Sequence, residues 1–270
     1  MDKDSLTKMH DFFLQSLFSS ISQAQQVVIT THRLADVDAM AAVIALKTIL
    51  LNRFPKKNIS AVVPQINRLA EKLQTDLFPT PQINTQWPTH ADVMVILDAN
   101  DLKMTEFPLV DEHNGVDSPP NTVGEIYIID HHIEPVKVDH RIKAMHILNN
   151  YSSTAEIVAE FFIVLGISTD LVIAKLLLLA IITDTGNFRY VNNHTLENTE
   201  YLLGLHNLNI RELIILLQIP MPRPERIARI RAAMRIEKLH YIGDFVLAIS
   251  HVSSYEASSC KALIDLGADM

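Results

Sequence analysis

The chain has 270 residues, 48% of them hydrophobic, and a formal net charge of −8 at pH 7, so it can bury a sizeable core as one large domain plus a smaller one. An acidic balance with a sequence pI near 5.8 excludes a global field that would favour a polyanion such as duplex DNA, so any nucleic acid it handles should be short or gripped locally. The single Cys260 excludes an internal disulfide and a thiolate metal cage, the longest apolar run is too short for a bilayer, and Met1-Asp2-Lys3-Asp4 lacks a basic leader, so a soluble cytoplasmic protein with no membrane partner is expected.

Taken in order, residues 6–21 carry Phe12, Phe13, Leu17, Phe18 and Ile21 at helical spacing, which predicts an amphipathic helix against a sheet. Residues 26–31 read as the first strand and 37–51 as a helix. Residues 59–64 read as the second strand and 65–73 as a helix, and 78–89, with three prolines, as a loop. Strands follow at 93–97 and 125–129, separated by a proline- and glycine-containing excursion at 111–124, with a weaker strand at 144–148. Helices are predicted at 153–165, 169–182, 194–205 and 210–217. Strands alternating with helices predict an α/β class: a doubly wound, mainly parallel sheet flanked by helices.

Pro220, Pro222 and Pro224 interrupt the chain and read as a stiff connector. Beyond them a basic helix at 225–237, strands at 238–241 and 245–250 and a helix at 253–266 give a small partial C-terminal α/β domain, or a fragment of one. The expected division is 1–218 for the large domain, 219–236 for a proline- and arginine-rich linker and helix, and 237–270 for the partial domain.

The chemistry gathers where apolar runs end. The first strand ends in Thr31-His32-Arg33-Leu34-Ala35-Asp36-Val37-Asp38, the 93–97 strand in Asp98, and the 125–129 strand in Asp130-His131-His132; the apolar segment 176–182 ends in Thr183-Asp184-Thr185-Gly186. Ligand sites of parallel sheets lie outside the carboxyl ends of the strands, so these endings predict one site. Each also has a plain structural reading: Asp98 as a helix cap, Asp184 as a turn residue, the adjacent histidines as solvated loop. Jointly, however, five aspartates crowded at one edge cannot all stay ionised without cations. Imidazole with carboxylate and no thiolate suits Mn2+ better than structural zinc, with Mg2+ as a substitute.

In this order and at these intervals, His-x3-Asp-x-Asp-Ala, the lone Asp98, Asp-His-His and Asp-Thr-Gly resemble the DHH phosphoesterase superfamily, on its RecJ-like and oligoribonuclease-like side. Ser153-Thr154-Ala155-Glu156 resembles a further family segment. The resemblance implies two Mn2+ ions, one on His32, Asp36 and Asp98, the other on Asp38, Asp98, His131 and Asp184, with Asp98 shared. It implies that His132 faces the scissile phosphate and that Asp130 orients histidine ligands. Ala35 stands where the family often has proline, which should stiffen the loop less.

The implied activity is cleavage of phosphodiesters in short single-stranded oligonucleotides or small nucleotides by a metal-activated hydroxide. Alternatives are a pyrophosphatase or polyphosphatase with the same centre, or an idle scaffold of this fold; a homodimer is compatible with either. Arg189 reads as a phosphoryl contact or a surface ion pair. Within the cluster Arg223, Arg226, Arg229, Arg231 and Arg235, Arg226 and Arg229, or Arg231 and Arg235, share a face by helical spacing; Arg226 and Arg229 read as substrate contacts or as a solvated helix face. The glycine-rich His motif of related C-terminal substrate domains is missing, which argues against processive nucleic-acid hydrolysis.

Overall fold

A computed structural model describes residues 3–108, 122–133 and 139–270. The chain divides into two compact units, Met1–Leu217 and Gln218–Met270. In the first, a five-stranded sheet runs in the order β2-β1-β3-β4-β5 with every neighbouring pair parallel. The strands are β1 (Gln26–Thr30), β2 (Asn58–Ala61), β3 (His90–Leu97), β4 (Thr122–Asp130) and β5 (Ile142–Ile147). The helices are α1 (Lys3–Gln23), α2 (Val37–Arg53), α3 (Arg68–Leu77), α4 (Thr154–Leu165), α5 (Leu171–Asp184), α6 (Asn193–Leu205) and α7 (Ile210–Leu216), with a 3₁₀ turn at Leu102–Thr105. No helix among the described residues is long and apolar enough to cross a membrane.

Strand alternation sends Val27, Ile29, Val95, Leu97, Tyr127 and Ile129 into a core shared with the helices. The opposite set, including Val28, Met94, Ile96, Ile126 and Ile128, packs under Leu102, Phe107 and Trp87. Both faces are therefore covered, as a parallel sheet requires. Helix α5 carries apolar residues around its whole circumference because it is buried in the main core.

Several boundaries differ from the sequence expectation. The strand predicted at 59–64 ends at Ala61, because Val63 N–H turns to donate to the Asn84 carbonyl at 2.8 Å and leaves β2. The helix predicted at 65–73 instead starts at Arg68, where the Asn67 side chain accepts from Ala70 N–H as its cap. Residues 111–121 of the predicted excursion lie outside the described residues, but Thr122–Gly124 already belong to β4. Gly124 is needed inside that strand, since a Cβ there would lie 2.5 Å from the Asp92 carbonyl oxygen. The 169–182 helix starts at Leu171, where Asp170 caps it, and continues through Asp184, which places that carboxylate on its last turn.

A buried polar network joins α1, β5, α4 and α6. His10 Nδ1 lies 2.8 Å from His146 Nε2, His10 Nε2 lies 2.8 Å from Glu160 Oε2, and Tyr151 Oη donates to the same oxygen at 2.7 Å. Asn198 Nδ2 donates to both Glu156 and Glu160. Burial pushes the His146 pKa down to about 3. The folded protein therefore keeps His146 neutral while the unfolded chain takes up a proton below its ordinary value near 6.5. This group's share of stability is present above that value and is lost as pH falls toward 3. His146→Gln keeps a polar partner for His10 but does not titrate. Its unfolding free energy is expected to fall less than the wild type's between pH 7 and pH 4, by a few kcal/mol. Parallel pH dependences in urea unfolding would refute this.

The second unit contains α8 (Arg223–Met234), an antiparallel hairpin of β6 (Ile236–Ile242) and β7 (Phe245–Ser250), and α9 (Glu256–Asp265). Helix α8 starts two residues before the predicted 225, with Pro224 in its first turn, where proline lacks a needed N–H at no cost.

Candidate metal centre

The strand order fixes the site. Because β3 lies between β1 and β4, the loop after β1, Asp98 after β3 and the Asp130-His131-His132 end of β4 emerge side by side at the carboxyl edge. Asp184 reaches them from the last turn of α5. Together with Ala99, Asn100 and Met104, seven of these side chains (His32, Asp36, Asp98, Asp130, His131, His132 and Asp184) line an open cleft of about 210 Å³.

The loop 31–36 is held by backbone pairing. Ala35 N–H donates to the Gln65 carbonyl at 2.9 Å, and the Ala35 carbonyl accepts from Asn67 N–H at 2.8 Å. A proline at position 35 could not make the first bond, so alanine here exchanges ring stiffness for a bridge to the next loop. His32 Nδ1 donates to the Arg33 carbonyl at 2.8 Å. In the neutral ring this leaves a lone pair on Nε2, which lies 3.4 Å from Asp98 Oδ2. Asp36 caps α2 by accepting from Ala39 N–H at 3.0 Å.

Asp38, almost fully buried, accepts from Thr154 N–H at 2.8 Å and Ala155 N–H at 2.9 Å, the first two residues of α4. A helix start supplies unpaired N–H groups and positive potential, which suits a carboxylate. Asp98 sits at φ 55, a left-handed conformation that aspartate tolerates. Its Oδ1 accepts from Thr154 Oγ1 at 3.0 Å and lies 3.5 Å from His131 Nε2. His131 Nε2 is also 3.5 Å from Asp184 Oδ2. Asp130 Oδ1 accepts from His131 N–H at 2.8 Å and holds His132 Nδ1 at 2.7 Å, while its buried Oδ2 has no partner among the described residues.

Three sets of donor atoms come within 4.8 Å of one another: His32, Asp36 and Asp98; Asp98, His131 and His132; Asp38, His131 and Asp184. The side chains thus fit divalent cations, with Asp98 common to two sets and His131 to two. Burial, reinforced by Asp98 and Asp184, raises the Asp38 pKa well above the ordinary carboxylate range. Burial likewise pushes Asp184 up to about 6. Burial opposes ionisation of Asp98 too, but hydrogen bonds from His131 and His32 win and hold it well below that range. His32 is raised chiefly by its bond to Asp98, and His132 by its bond to Asp130. A cation would relieve the repulsion that raises Asp38 and Asp184.

Other expected contacts are placed differently. Arg189 is exposed and is not among the residues lining the cleft; among the described residues it makes no ion pair. It follows a turn in which Gly186, Asn187 and Phe188 all have positive φ. In the second unit, Arg229 pairs with Asp265 at 2.8 Å, and Arg226 is exposed on α8. Two participants were not singled out from sequence. Asn100 lines the cleft, and its signal was its place two residues after a strand-end aspartate. Thr154 lay within a recognised segment, yet its hydroxyl's partner is 56 residues away in the chain, which no local pattern reveals.

The chain is similar to several known proteins. An uncharacterized protein of Methanocaldococcus jannaschii is 27% identical over 248 residues, spanning 91% of this chain and 70% of the relative. An exopolyphosphatase-related protein from Bacteroides fragilis has the same fold, with a TM-score of 0.59 at 19% identity over 89% of this chain and 68% of that one. A candidate family II inorganic pyrophosphatase from Methanococcus jannaschii gives a TM-score of 0.55 at 18% identity, over 89% and 77%. The family model for the DHH family, N-terminal domain, matches residues 26–181, more than half of the chain; the chain belongs to the DHH family.

Proposed function

We propose that this chain is a metal-dependent phosphohydrolase that cleaves phosphodiester bonds of short oligonucleotides or small nucleotides. The observation that supports this most is the position of Asp98, a buried carboxylate within donor distance of two separate sets of ligands. His32, Asp36 and Asp98 would hold one Mn2+ ion, and Asp38, Asp98, His131 and Asp184 a second. When bound, such ions supply Lewis acidity at the phosphoryl group and make water acidic enough to attack at neutral pH. The protein's own part is to orient and to neutralise. Asp130 holds the His132 ring by Nδ1 and favours its protonated form, so Nε2–H can donate to a phosphoryl oxygen as charge develops there. No protein nucleophile is required.

A second reading, hydrolysis of phosphoanhydrides, is favoured by the fold shared with the exopolyphosphatase-related protein and the pyrophosphatase candidate. An idle scaffold is disfavoured because all six metal-ligand positions are filled. The test offers purified protein with Mn2+ a panel of dinucleotides, adenosine bisphosphate, cyclic dinucleotides, single-stranded DNA and pyrophosphate. Turnover of the dinucleotides that stops on chelation is expected. Preference for pyrophosphate would move the assignment to the second reading, and no turnover by Mn2+-loaded protein would overturn both.

A further inference from the structure

The arginines of α8 do not behave as one solvated face. Arg229 and Glu225 point their functional groups at α9, where Arg229 meets Asp265 at 2.8 Å and Glu225 accepts from Ser258 Oγ at 2.7 Å. Arg223 and Arg231, eight residues apart on the helix, and Arg235 at its end instead line a cleft of about 320 Å³, with Ser253 and Ser254 among the other lining residues. Eight residues of helix rise about 12 Å, so the two helical guanidinium stems start roughly two turns apart. Ile227, one turn from each, adds an apolar patch between them. No carboxylate lines the cleft, and the side chain of none of these three arginines has an ion-pair or hydrogen-bond partner among the described residues.

Guanidinium groups stay charged throughout the accessible pH range, so three of them around one concavity repel unless an anion lies among them. Each offers a planar fork of donors that matches two phosphate oxygens. The serine hydroxyls add neutral donors.

We propose that this cleft in the second unit binds a phosphate group, either of a nucleotide chain or as the free anion. The site stands on the residues of this unit alone and does not depend on the metal-centre reading. Of the expected pair, Arg229 is engaged by Asp265 and Arg226 is exposed on α8, while the arginines lining the cleft are 223, 231 and 235.

The test uses the full chain in EDTA, which removes any contribution from bound cations, and follows the fluorescence anisotropy of a dye-labelled thymidine pentanucleotide. Arg231→Ala with Arg235→Ala is expected to weaken binding at least tenfold. It should also reduce the slope of log affinity against log salt by about 0.7, the contribution of one single-strand phosphate neutralised. Lys238→Ala with Lys261→Ala removes the same charge from the same unit outside the cleft and is expected to change affinity less than twofold. Arg231→Lys with Arg235→Lys keeps the charge and guards against misfolding; it should still weaken binding severalfold, because an ammonium lacks the fork. Competition by inorganic phosphate at millimolar concentration would assign the cleft to the free anion, and its failure to the phosphodiester chain. Equal weakening by the arginine and lysine pairs, or no saturable binding by the wild-type protein, would overturn the proposal.

Discussion

Asp98→Asn should abolish Mn2+-dependent hydrolysis while leaving the metal-free fold intact. Partners of metal ligands typically cost roughly 10–100-fold when removed, so a carboxylate within reach of both ligand sets should cost more, at least about 10³-fold. Asparagine is the informative substitution because Asp98 sits at φ 55, a conformation asparagine accepts as readily as aspartate. Asp98→Ala would add left-handed strain of about 1 kcal/mol and mix a folding effect into the result. The asparagine variant also removes one negative charge from beside Asp38 and Asp184, whose pKa values Asp98 helps to raise. It also weakens the hydrogen bonds from His131 and His32 that hold the Asp98 carboxyl below the usual range, so its metal-free melting temperature should lie modestly below the wild type's near neutral pH. Turnover within tenfold of wild type would show that Asp98 is not shared between ions.

Mn2+ is expected to raise the melting temperature of the wild-type protein strongly. A cation that binds only the folded state contributes about 2.7 kcal/mol at 100 times its dissociation constant. For a unit the size of Met1–Leu217 that corresponds to roughly 5–11 °C for each ion held. Asp184→Asn gives the complementary result. Burial raises Asp184 to about 6, so in the metal-free fold its ionised form is destabilising near neutral pH. Removing the charge should raise metal-free stability and shrink the Mn2+ response. A melting curve that ignores Mn2+ in the wild type would end the case for a metal centre, whatever the substrate panel shows.

What the sequence determined was local. Apolar runs that end abruptly in His32, Asp98 and Asp130-His131-His132 could be read as strands delivering ligands, because burial of a parallel strand requires continuous apolar residues and its end must be polar. The Asp-His-His triplet and its companions also carried the family, and the spacing of the helices carried the fold class. Boundaries were less legible where a side-chain cap or a sideways bond made the decision, as Asn67 does for α3 and Asn84 for the end of β2. Neither partner is marked by periodicity.

Only the tertiary structure decided which carboxylates come within reach of one another. Placing β3 between β1 and β4 depends on crossovers through the core, not on any local signal, and it is this order that brings Asp98 within reach of both His32 and His131. The same holds for Asp38, whose two oxygens are satisfied by the start of α4 more than a hundred residues later. It holds again for the arginines of α8. Helical spacing alone paired Arg226 with Arg229 or Arg231 with Arg235, and the packing of α9 determined that Arg229 faces a carboxylate while Arg223, Arg231 and Arg235 face a cleft. Short-range chemistry chooses the side chains, but which of them meet is fixed by long-range packing of apolar surfaces, which leaves no mark at the residues it brings together.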